Sequence, residues 1–481
     1  MLNARAASVD HDTGSQRVQV FSWFWALAAI LHLLGTDSLS HIRHGLDPMA
    51  SIDLVIGLAA LVTLVSPRVV SARIVVLVLC PLSAWLGAPR LGNHWLLVAI
   101  VDLALLASMV PWLWSRTRTL LDRVHEEGLP TARVMFVCFY VFAAMAKVNS
   151  SFLDPTVSCS TKFFGELLAS AGVHSIDPMS GSGWTHLIPV VTMVIELAIA
   201  VSLCFGRTRL VGAVMLIAFH GLIALDTSHQ FADFASVVVA LALLSLPDEA
   251  FGWFRKLVEA RSVLALRLAV ATVAAGLLAA QVIDIADRRV RLFDLTRNLM
   301  WWSVWLALLC VLGIWILRSH ARRSDVAMLP VQRSLLVWPG IVVLIGLAPY
   351  LEIRTSASWN MYSNLRTAGG DSNSYVIPLT ARLDDAQDDP VRILAADAAD
   401  LREYIGTDFV VPWGNLRDHL STAPDTSITY ERSGRIVTVA HTHGSPEFAE
   451  PVPWWETKIF SFRSYVPEGP SICQSSMWVA R

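Results

Sequence analysis

Long apolar runs alternate with short polar stretches over the first 350 residues of this 481-residue chain. A helix needs roughly 20 predominantly apolar residues to cross a bilayer. We therefore expect an all-α polytopic membrane protein, in which a polar cytoplasmic tail of residues 1–17 precedes a membrane domain of residues 18–351. The runs predict about eleven membrane helices, near residues 18–35, 52–66, 73–88, 94–114, 132–148, 185–206, 208–226, 229–246, 262–284, 300–317 and 334–351.

Composition supports a membrane protein over a soluble one. Hydrophobic residues make up 54% of the chain and charged residues 16%, whereas soluble domains hold about 45–50% apolar and about 25% charged residues. The net charge of −2 excludes a protein that binds nucleic acid mainly through charge. The polar N-terminal stretch lacks the apolar core and cleavage site of a signal peptide, so we expect the first apolar run to be retained.

The pattern changes after residue 351. Residues 355–481 hold 10 Lys or Arg and 16 Asp or Glu, which indicates an acidic soluble domain over residues 352–481. Residues 427–439 place a turn-like Arg-Ser-Gly between β-forming residues, which predicts a hairpin, and residues 395–404 resemble one short helix. The tail is therefore expected to be a small α+β or β-rich domain.

The distribution of Lys and Arg between the loops predicts the orientation, because cytoplasmic loops are enriched in these residues. With the N-terminus in the cytoplasm, the inner segments hold 17 Lys or Arg and the outer loops hold 7. An odd number of helices then places the C-terminal domain on the extracytoplasmic side, which for a bacterial protein is outside the plasma membrane. The arginine-rich stretch 285–299 is the exception, and its mixed composition suggests an amphipathic interfacial segment.

Ionisable residues within membrane helices are costly and are candidates for function. Groups from several helices are expected at a similar depth in the outer half of the membrane, where they would face one cavity, with Glu196 close to the middle. The residues concerned are His32, Asp53, His94, Asp102, Lys147, Glu196, His220 and Asp233.

Several of these groups could instead have a purely structural role. Lys147 could extend from a helix end to the interface, whereas a desolvated Lys147 would be a usable base. His220 could serve only in helix packing, and Asp102 and Glu196 could neutralise a neighbouring Lys or His. No HEXXH pattern occurs, and His441-Thr-His443 (residues 441–443) has no obvious third ligand, so no metal is predicted.

Two of the six cysteines fall in aqueous segments. Cys159 lies in the long outer loop 149–184 and Cys473 in the tail. Both are extracytoplasmic in the predicted orientation, where a disulfide persists. We therefore expect a bridge that holds the tail over the mouth of the cavity. The other four lie in membrane runs and are expected to be packing residues: Cys80, Cys138, Cys204 and Cys310.

Three sequence elements resemble a known family. They are Gly92-Asn-His94-Trp-Leu at a helix start, the stretch 140–153 with Tyr140, Lys147 and Asn149, and Phe219-His220 followed by residues 229–234. Together they resemble the horizontally transferred transmembrane (HTTM) domain of the vitamin K-dependent gamma-carboxylase and its bacterial relatives, over about residues 15–300. The element around Lys147 is the most specific of the three.

The resemblance implies a membrane enzyme that uses a reduced naphthoquinone of the menaquinol or vitamin K type together with O2 and CO2. Lys147 would be the base that deprotonates the hydroquinone and His94 would assist it. We expect Lys147, His94 and His220 to line one cavity as the catalytic group. Membrane lipid, the quinone and a peptide or protein on the extracytoplasmic side would be the partners. The residues expected around the quinone are Asn93, Asp102, Glu196 and Asp233.

The chain also departs from the family. The first helix lacks an arginine that these proteins commonly carry, one lysine stands where the animal carboxylases have two, and the tail is much shorter than theirs. An accessory membrane protein for peptide maturation or export on the same fold is therefore an alternative. A transporter or lipid-binding protein is another, although the inverted repeats typical of transporters are not apparent.

Overall fold

Apolar helices form the part of the chain before residue 350. The structure, a computed structural model, describes all residues except 1, 37, 45–46, 90, 116–117, 227–230, 259–260, 284–289, 319–331, 384–386, 450–451 and 474–481. The helices of this part are α1 (Leu2–Gly35), α2 (Pro48–Val65), α3 (Val70–Gly87), α4 (Asn93–Met109), α5 (Leu120–Met145, with a π-helical turn at Val124–Gly128), α6 (Ser150–Leu153), α7 (Cys159–Ser170), α8 (Leu187–Cys204), α9 (Arg209–Ile223), α10 (Phe231–Leu243), α11 (Asp248–Val258), α12 (Arg261–Val282), α13 (Val290–Arg318) and α14 (Val337–Leu347).

Among the described residues, eight helical segments are long and apolar enough to cross a membrane. Helices α10 and α11 meet at an angle of 115° and would make a ninth span if the bent pair crosses as one unit. Helices α9 and α14, in the predicted runs 208–226 and 334–351, are shorter than a full span. The structure thus supports a multi-pass helical membrane protein, and the count of eleven spans is not confirmed.

Helices α1 and α10 lie at the centre of the bundle. Helix α1 packs against α2, α10 and α11, and almost every side chain of α10 is buried. A helix that is apolar on all faces is suited to such a position. Polar side chains join the helix ends: Arg17 of α1 pairs with Asp248 at 3.2 Å, and Gln281 of α12 donates to the carbonyl of Thr36 at 2.9 Å. These contacts fix which helix ends lie together.

Two segments differ from their predicted conformation at the membrane surface. Helix α1 begins at Leu2, so residues 2–17 are helical and continuous with the first membrane helix, where a separate tail was expected. In the stretch 285–299, residues 290–299 are the first turns of α13, and residues 285–289 lie outside the described part. Arg297 within it is buried and donates to the carbonyl of Leu34 at 3.3 Å, which gives this charge a partner inside the bundle.

The tail is a small α+β domain with its own apolar core. The first two strands, β1 (Thr367–Ala368) and β2 (Asp371–Ser372), pair with each other. An antiparallel sheet is formed by the other three: β3 (Val391–Ala396), β4 (Ile428–Arg432) and β5 (Arg435–Val439). The helices of this domain are α15 (Ala399–Arg402), α16 (Trp413–Thr422), α17 (Pro446–Ala449) and α18 (Trp454–Ile459). Short 3₁₀ turns occur in the chain at Ser38–His44, Val110–Leu113, Pro178–Ser180, Gly183–His186, Arg333–Leu336 and Thr442–Gly444.

The predicted hairpin is confirmed. Arg432 pairs with Arg435 across a two-residue turn in which Ser433 and Gly434 both have positive φ, as a tight β-hairpin requires. The predicted helix over 395–404 is wrong in part, because residues 395–396 end strand β3 and only Ala399–Arg402 are helical. The pairing of β3 with β4 accounts for the difference, since tertiary contacts override a weak helix propensity.

A junction segment, residues 352–364, joins the last membrane helix to the tail and packs into the bundle. Four non-glycine residues in it have positive φ, among them Tyr362 and Asn364, a conformation that persists only where the surroundings impose it. Trp359 is buried and donates to the carbonyl of Val342 at 2.6 Å. Asn149 donates to the carbonyl of Ser363 at 2.6 Å. The segment therefore covers the ends of α4 and α5.

The disulfide between Cys159 and Cys473 forms as the sequence predicts. It joins the first residue of α7 to the end of the described tail, over a separation of 314 residues. Lys458 adds a second attachment, because its ammonium donates to the carbonyls of Trp85 and Ala88 at the end of α3. The tail is thus fixed to the bundle at two separate places.

Breaking the disulfide should lower the stability of the protein. Cys159→Ser is expected to reduce the free energy of unfolding by about 2–4 kcal/mol, because the unfolded chain gains freedom. Thermal unfolding of detergent-purified protein would measure it. Cys310→Ser, at an exposed free cysteine of α13, is the control and should melt like the wild type. Equal melting temperatures of the two variants under non-reducing conditions would contradict the stabilising role.

Candidate functional site

Two histidines and an aspartate meet at one end of the bundle. His32 lies one turn before the end of α1, His94 is the second residue of α4, and Asp233 is the third residue of α10. His32 Nδ1 and His94 Nε2 each lie 2.9 Å from the same atom, Asp233 Oδ2. We call these three residues the histidine–aspartate cluster.

Aromatic rings fix the orientation of both imidazoles in this cluster. The His32 ring stacks on Trp95 with a centroid distance of 3.7 Å, and the His94 ring meets Phe234 edge-on at 5.8 Å. The three side chains of the cluster keep 10–13% of their surface exposed. The cluster is thus held rigidly but remains reachable.

Lys147 and Glu196 form an ion pair within the bundle. Lys147 Nζ lies 2.8 Å from Glu196 Oε2, and the two side chains are 12% and 8% exposed. Lys147 follows the end of α5, whereas Glu196 lies in the middle of α8. The ammonium therefore points into the protein, and this contact argues against an interpretation of Lys147 as a side chain that extends to the interface. We call these two residues the lysine–glutamate pair.

His220 connects the two groups of residues. Its Nε2 lies 3.1 Å from the hydroxyl of Tyr140, and its ring meets Phe234 edge-on at 5.2 Å. His94 contacts the same Phe234. The structure thus brings His94 and His220 against one aromatic side chain, and Tyr140, which contacts His220, precedes Lys147 by two helical turns.

Two of the sequence-predicted residues lie elsewhere. Asp102 is fully buried and accepts a hydrogen bond of 2.7 Å from Trp25 Nε1. It lies eight residues after His94 on α4, about 12 Å further along the helix, which explains its separation from the cluster. Asn93 is also buried, and its amide nitrogen donates to the carbonyl of Ser358 in the junction segment. Both side chains have hydrogen-bond partners within the protein, and their contact with a quinone remains a prediction.

Three residues near the site were not singled out as members of it. His32 appeared only among the ionisable groups, and its partner Asp233 lies 201 residues away. In the sequence, Tyr140 stands out only as part of the stretch 140–153, and Phe234 only as the last residue of the stretch 229–234. A signal for Tyr140 existed, because it precedes Lys147 by two helical turns and so shares its helix face.

Two cavities lie away from these residues. One of about 520 Å³ is largely apolar and lies between the middle of α1, the first part of α3 and the last part of α4, where Trp25 and Leu105 line it. The other, of about 580 Å³, lies beside the disulfide and is lined by Tyr362 and Arg463. A shared cavity for Lys147, His94 and His220 remains a prediction.

The two histidines of the tail motif stabilise a turn. The backbone amide of His443 donates to the Asp425 carboxylate at 3.1 Å and the His441 ring contacts it at 2.9 Å. These hydrogen bonds lower the pKa of Asp425, because they favour its charged form. His443 Nε2 lies 2.8 Å from the carbonyl of Ala423, so both rings are engaged in local contacts.

No family model, curated protein or solved structure matches the chain. The proposals below therefore rest on the geometry of the described residues and on the resemblance of the three sequence elements.

Proposed function

We propose that this chain is an integral membrane enzyme that deprotonates a reduced naphthoquinone at the lysine–glutamate pair and oxidises it with O2. The supporting observation is the ion pair between Lys147 and Glu196, which is largely buried. An amine with a reference pKa of about 10.4 matches a phenolic hydroxyl of about 10, which suits proton transfer. A carboxylate or an imidazole alone is a much weaker base.

Glu196 has a defined part in this mechanism. An ammonium cannot accept a proton, so Lys147 can act as a base only as a neutral amine. The amine becomes a base only when Glu196 takes up the ammonium proton, which a contact of 2.8 Å allows. The pair would then act together, with Lys147 facing the hydroquinone and Glu196 storing the proton. His220 would hold a quinone oxygen in place from the opposite side.

The proposed reaction consumes the hydroquinone and O2 and forms quinone epoxide and water. The amine removes a phenolic proton, the phenolate adds O2, one oxygen atom remains in the quinone epoxide, and the other leaves as a strongly basic oxygen anion. That base removes a proton, which in the resembled family comes from a glutamate γ-carbon, and becomes water. CO2 then adds to the carbanion to give a second carboxylate. Such a base persists only where water is excluded, and a site within a helix bundle offers this.

We also propose that the N-terminus is cytoplasmic and the tail extracytoplasmic. The excess of Lys and Arg in the inner segments supports it. The tail contacts the ends of α3, α4 and α5, and a disulfide between Cys159 and Cys473 fits an oxidising compartment. A peptide or protein substrate would then approach from outside. The test is a reporter that works only in the cytoplasm, fused after Arg481. Activity of this reporter would contradict the proposed orientation.

Purified protein in lipid nanodiscs provides the direct test. With menaquinol or vitamin K hydroquinone and O2, we expect O2 uptake and quinone epoxide in equal amounts. Adding CO2 and a glutamate-containing peptide tests the second step. Absence of turnover with every naphthoquinol tried would overturn the proposal and favour an accessory protein for peptide maturation, or a lipid- or quinone-binding transporter.

A further inference from the structure

The histidine–aspartate cluster has the arrangement of a metal site. One nitrogen from each imidazole and one carboxylate oxygen of Asp233 lie within 4.8 Å of one another. The three residues come from α1, α4 and α10, helices that are far apart in the sequence. Such a convergence of ligand atoms inside a largely apolar bundle is costly and calls for a physical reason.

We propose that His32, His94 and Asp233 bind one divalent transition-metal ion. Two imidazole nitrogens and a carboxylate are a common protein ligand set for Zn²⁺ with one position left open, and the same three donors bind Fe²⁺ in non-haem iron sites. This inference goes beyond the proposed function and does not depend on it. If both hold, His94 would act through the ion.

The distances in the cluster fit hydrogen bonding as well as shared ligation of an ion. His94 Nε2 lies 2.9 Å from Asp233 Oδ2, and His94 Nδ1 is buried without a hydrogen-bond partner. Two ligands about 2.1 Å from one ion are about 3.4 Å apart at the tetrahedral angle and about 3.0 Å apart at a right angle, so the ligand atoms would need to shift by at most about half an ångström. Asp233 Oδ1 is also buried without a hydrogen-bond partner. An unpartnered carboxylate oxygen at this position is available to an ion.

The charges around the cluster leave room for a cation. Arg297 is a buried positive group of α13. Its ion pair is with Asp294, at 3.1 Å. One negative charge remains uncompensated if both histidines are neutral, the form in which imidazole binds metal. A divalent ion would neutralise it.

Metal binding can be tested with Co²⁺ alone. Full-length protein without a histidine tag would be treated with a chelator, freed of it, and titrated with Co²⁺ while visible absorption is recorded. We expect one equivalent to bind with d–d bands that report nitrogen and oxygen ligands. Elemental analysis of the untreated protein would identify the resident ion. Neither readout depends on quinol oxidation, so failure of one proposal is distinguishable from failure of the other.

Matched variants locate the ion. His32→Phe keeps a ring to stack on Trp95 but removes a ligand atom, and it should weaken Co²⁺ binding at least tenfold, as should Asp233→Asn. His220→Phe, at a buried histidine that contacts Phe234 but is not a member of the cluster, should bind like the wild type. A rise in melting temperature with Co²⁺ should occur only in wild type and His220→Phe. Absence of stoichiometric binding by folded wild type, or equal binding by His32→Phe and Asp233→Asn, would overturn the proposal.

Discussion

Lys147→Arg should abolish oxygen-dependent hydroquinone oxidation as completely as Lys147→Ala does. A positioned acid–base group contributes about 10²–10⁴-fold to a rate, so a loss of at least about 100-fold is expected in both variants. Arginine keeps the positive charge and can still pair with Glu196, but a guanidinium does not give up its proton at ordinary pH. The experiment therefore separates a base from a cation that only balances charge.

Lys162→Arg provides the matched control for this substitution. Lys162 lies in α7 and is not a member of the lysine–glutamate pair. The Lys162→Arg variant should therefore oxidise hydroquinone at the wild-type rate. Quinone epoxide formed per minute in nanodiscs, together with melting temperature, is the measurement. Full activity in Lys147→Arg would show that Lys147 has an electrostatic role and would remove the base from the proposed mechanism.

Glu196→Leu should destabilise the protein by about 3–5 kcal/mol, because it leaves the ammonium of Lys147 buried without its partner. Replacing both members by apolar residues of similar size is often neutral or stabilising. Lys147→Met combined with Glu196→Leu should therefore recover most of the lost stability, although it should be inactive. The double-mutant cycle compares the unfolding of four proteins in one detergent: the wild type, Lys147→Met, Glu196→Leu and the double variant.

An exposed ion pair serves as the comparison for this cycle. Arg118 and Glu126 pair on the surface, with side chains 49% and 42% exposed. Glu126→Leu should change the free energy of unfolding by less than about 1 kcal/mol, since water and salt screen such pairs. If the double variant at the buried pair is no more stable than Glu196→Leu, the ion pair does not account for the loss.

Hydropathy predicted the helices well wherever the bilayer requirement of about 20 apolar residues is met within one segment. It was less informative for α9, α14 and the bent pair of α10 and α11. Both short helices keep exposed apolar residues, among them Val211 of α9 and Leu344 of α14. Neither the length of a helix nor a bend is encoded in average hydropathy. The hairpin of β4 and β5 was predictable because its turn and its strand alternation are local.

The sequence predicted many of the residues of the candidate site but not the contacts between them. Sequence reasoning identified Lys147, Glu196, His94 and Asp233 as costly polar residues but could not assign their partners, since pairing between helices depends on rotation and depth. Glu196 follows Lys147 by 49 residues, and nothing in that spacing indicates a contact of 2.8 Å. Grouping by approximate depth also placed Asp102 with His94, although two helical turns separate them.

The junction segment has a consequence for the order in which the protein is completed during synthesis. Asn93 and Asn149 are translated early, yet the carbonyls of Ser358 and Ser363 that accept their hydrogen bonds emerge more than 200 residues later. Until then the side chains of Asn93 and Asn149 lack these hydrogen-bond acceptors, and Cys159 cannot form its disulfide with Cys473. A chain that stops short of the junction segment would insert its helices but remain unfinished, and such products should be substrates for membrane proteases.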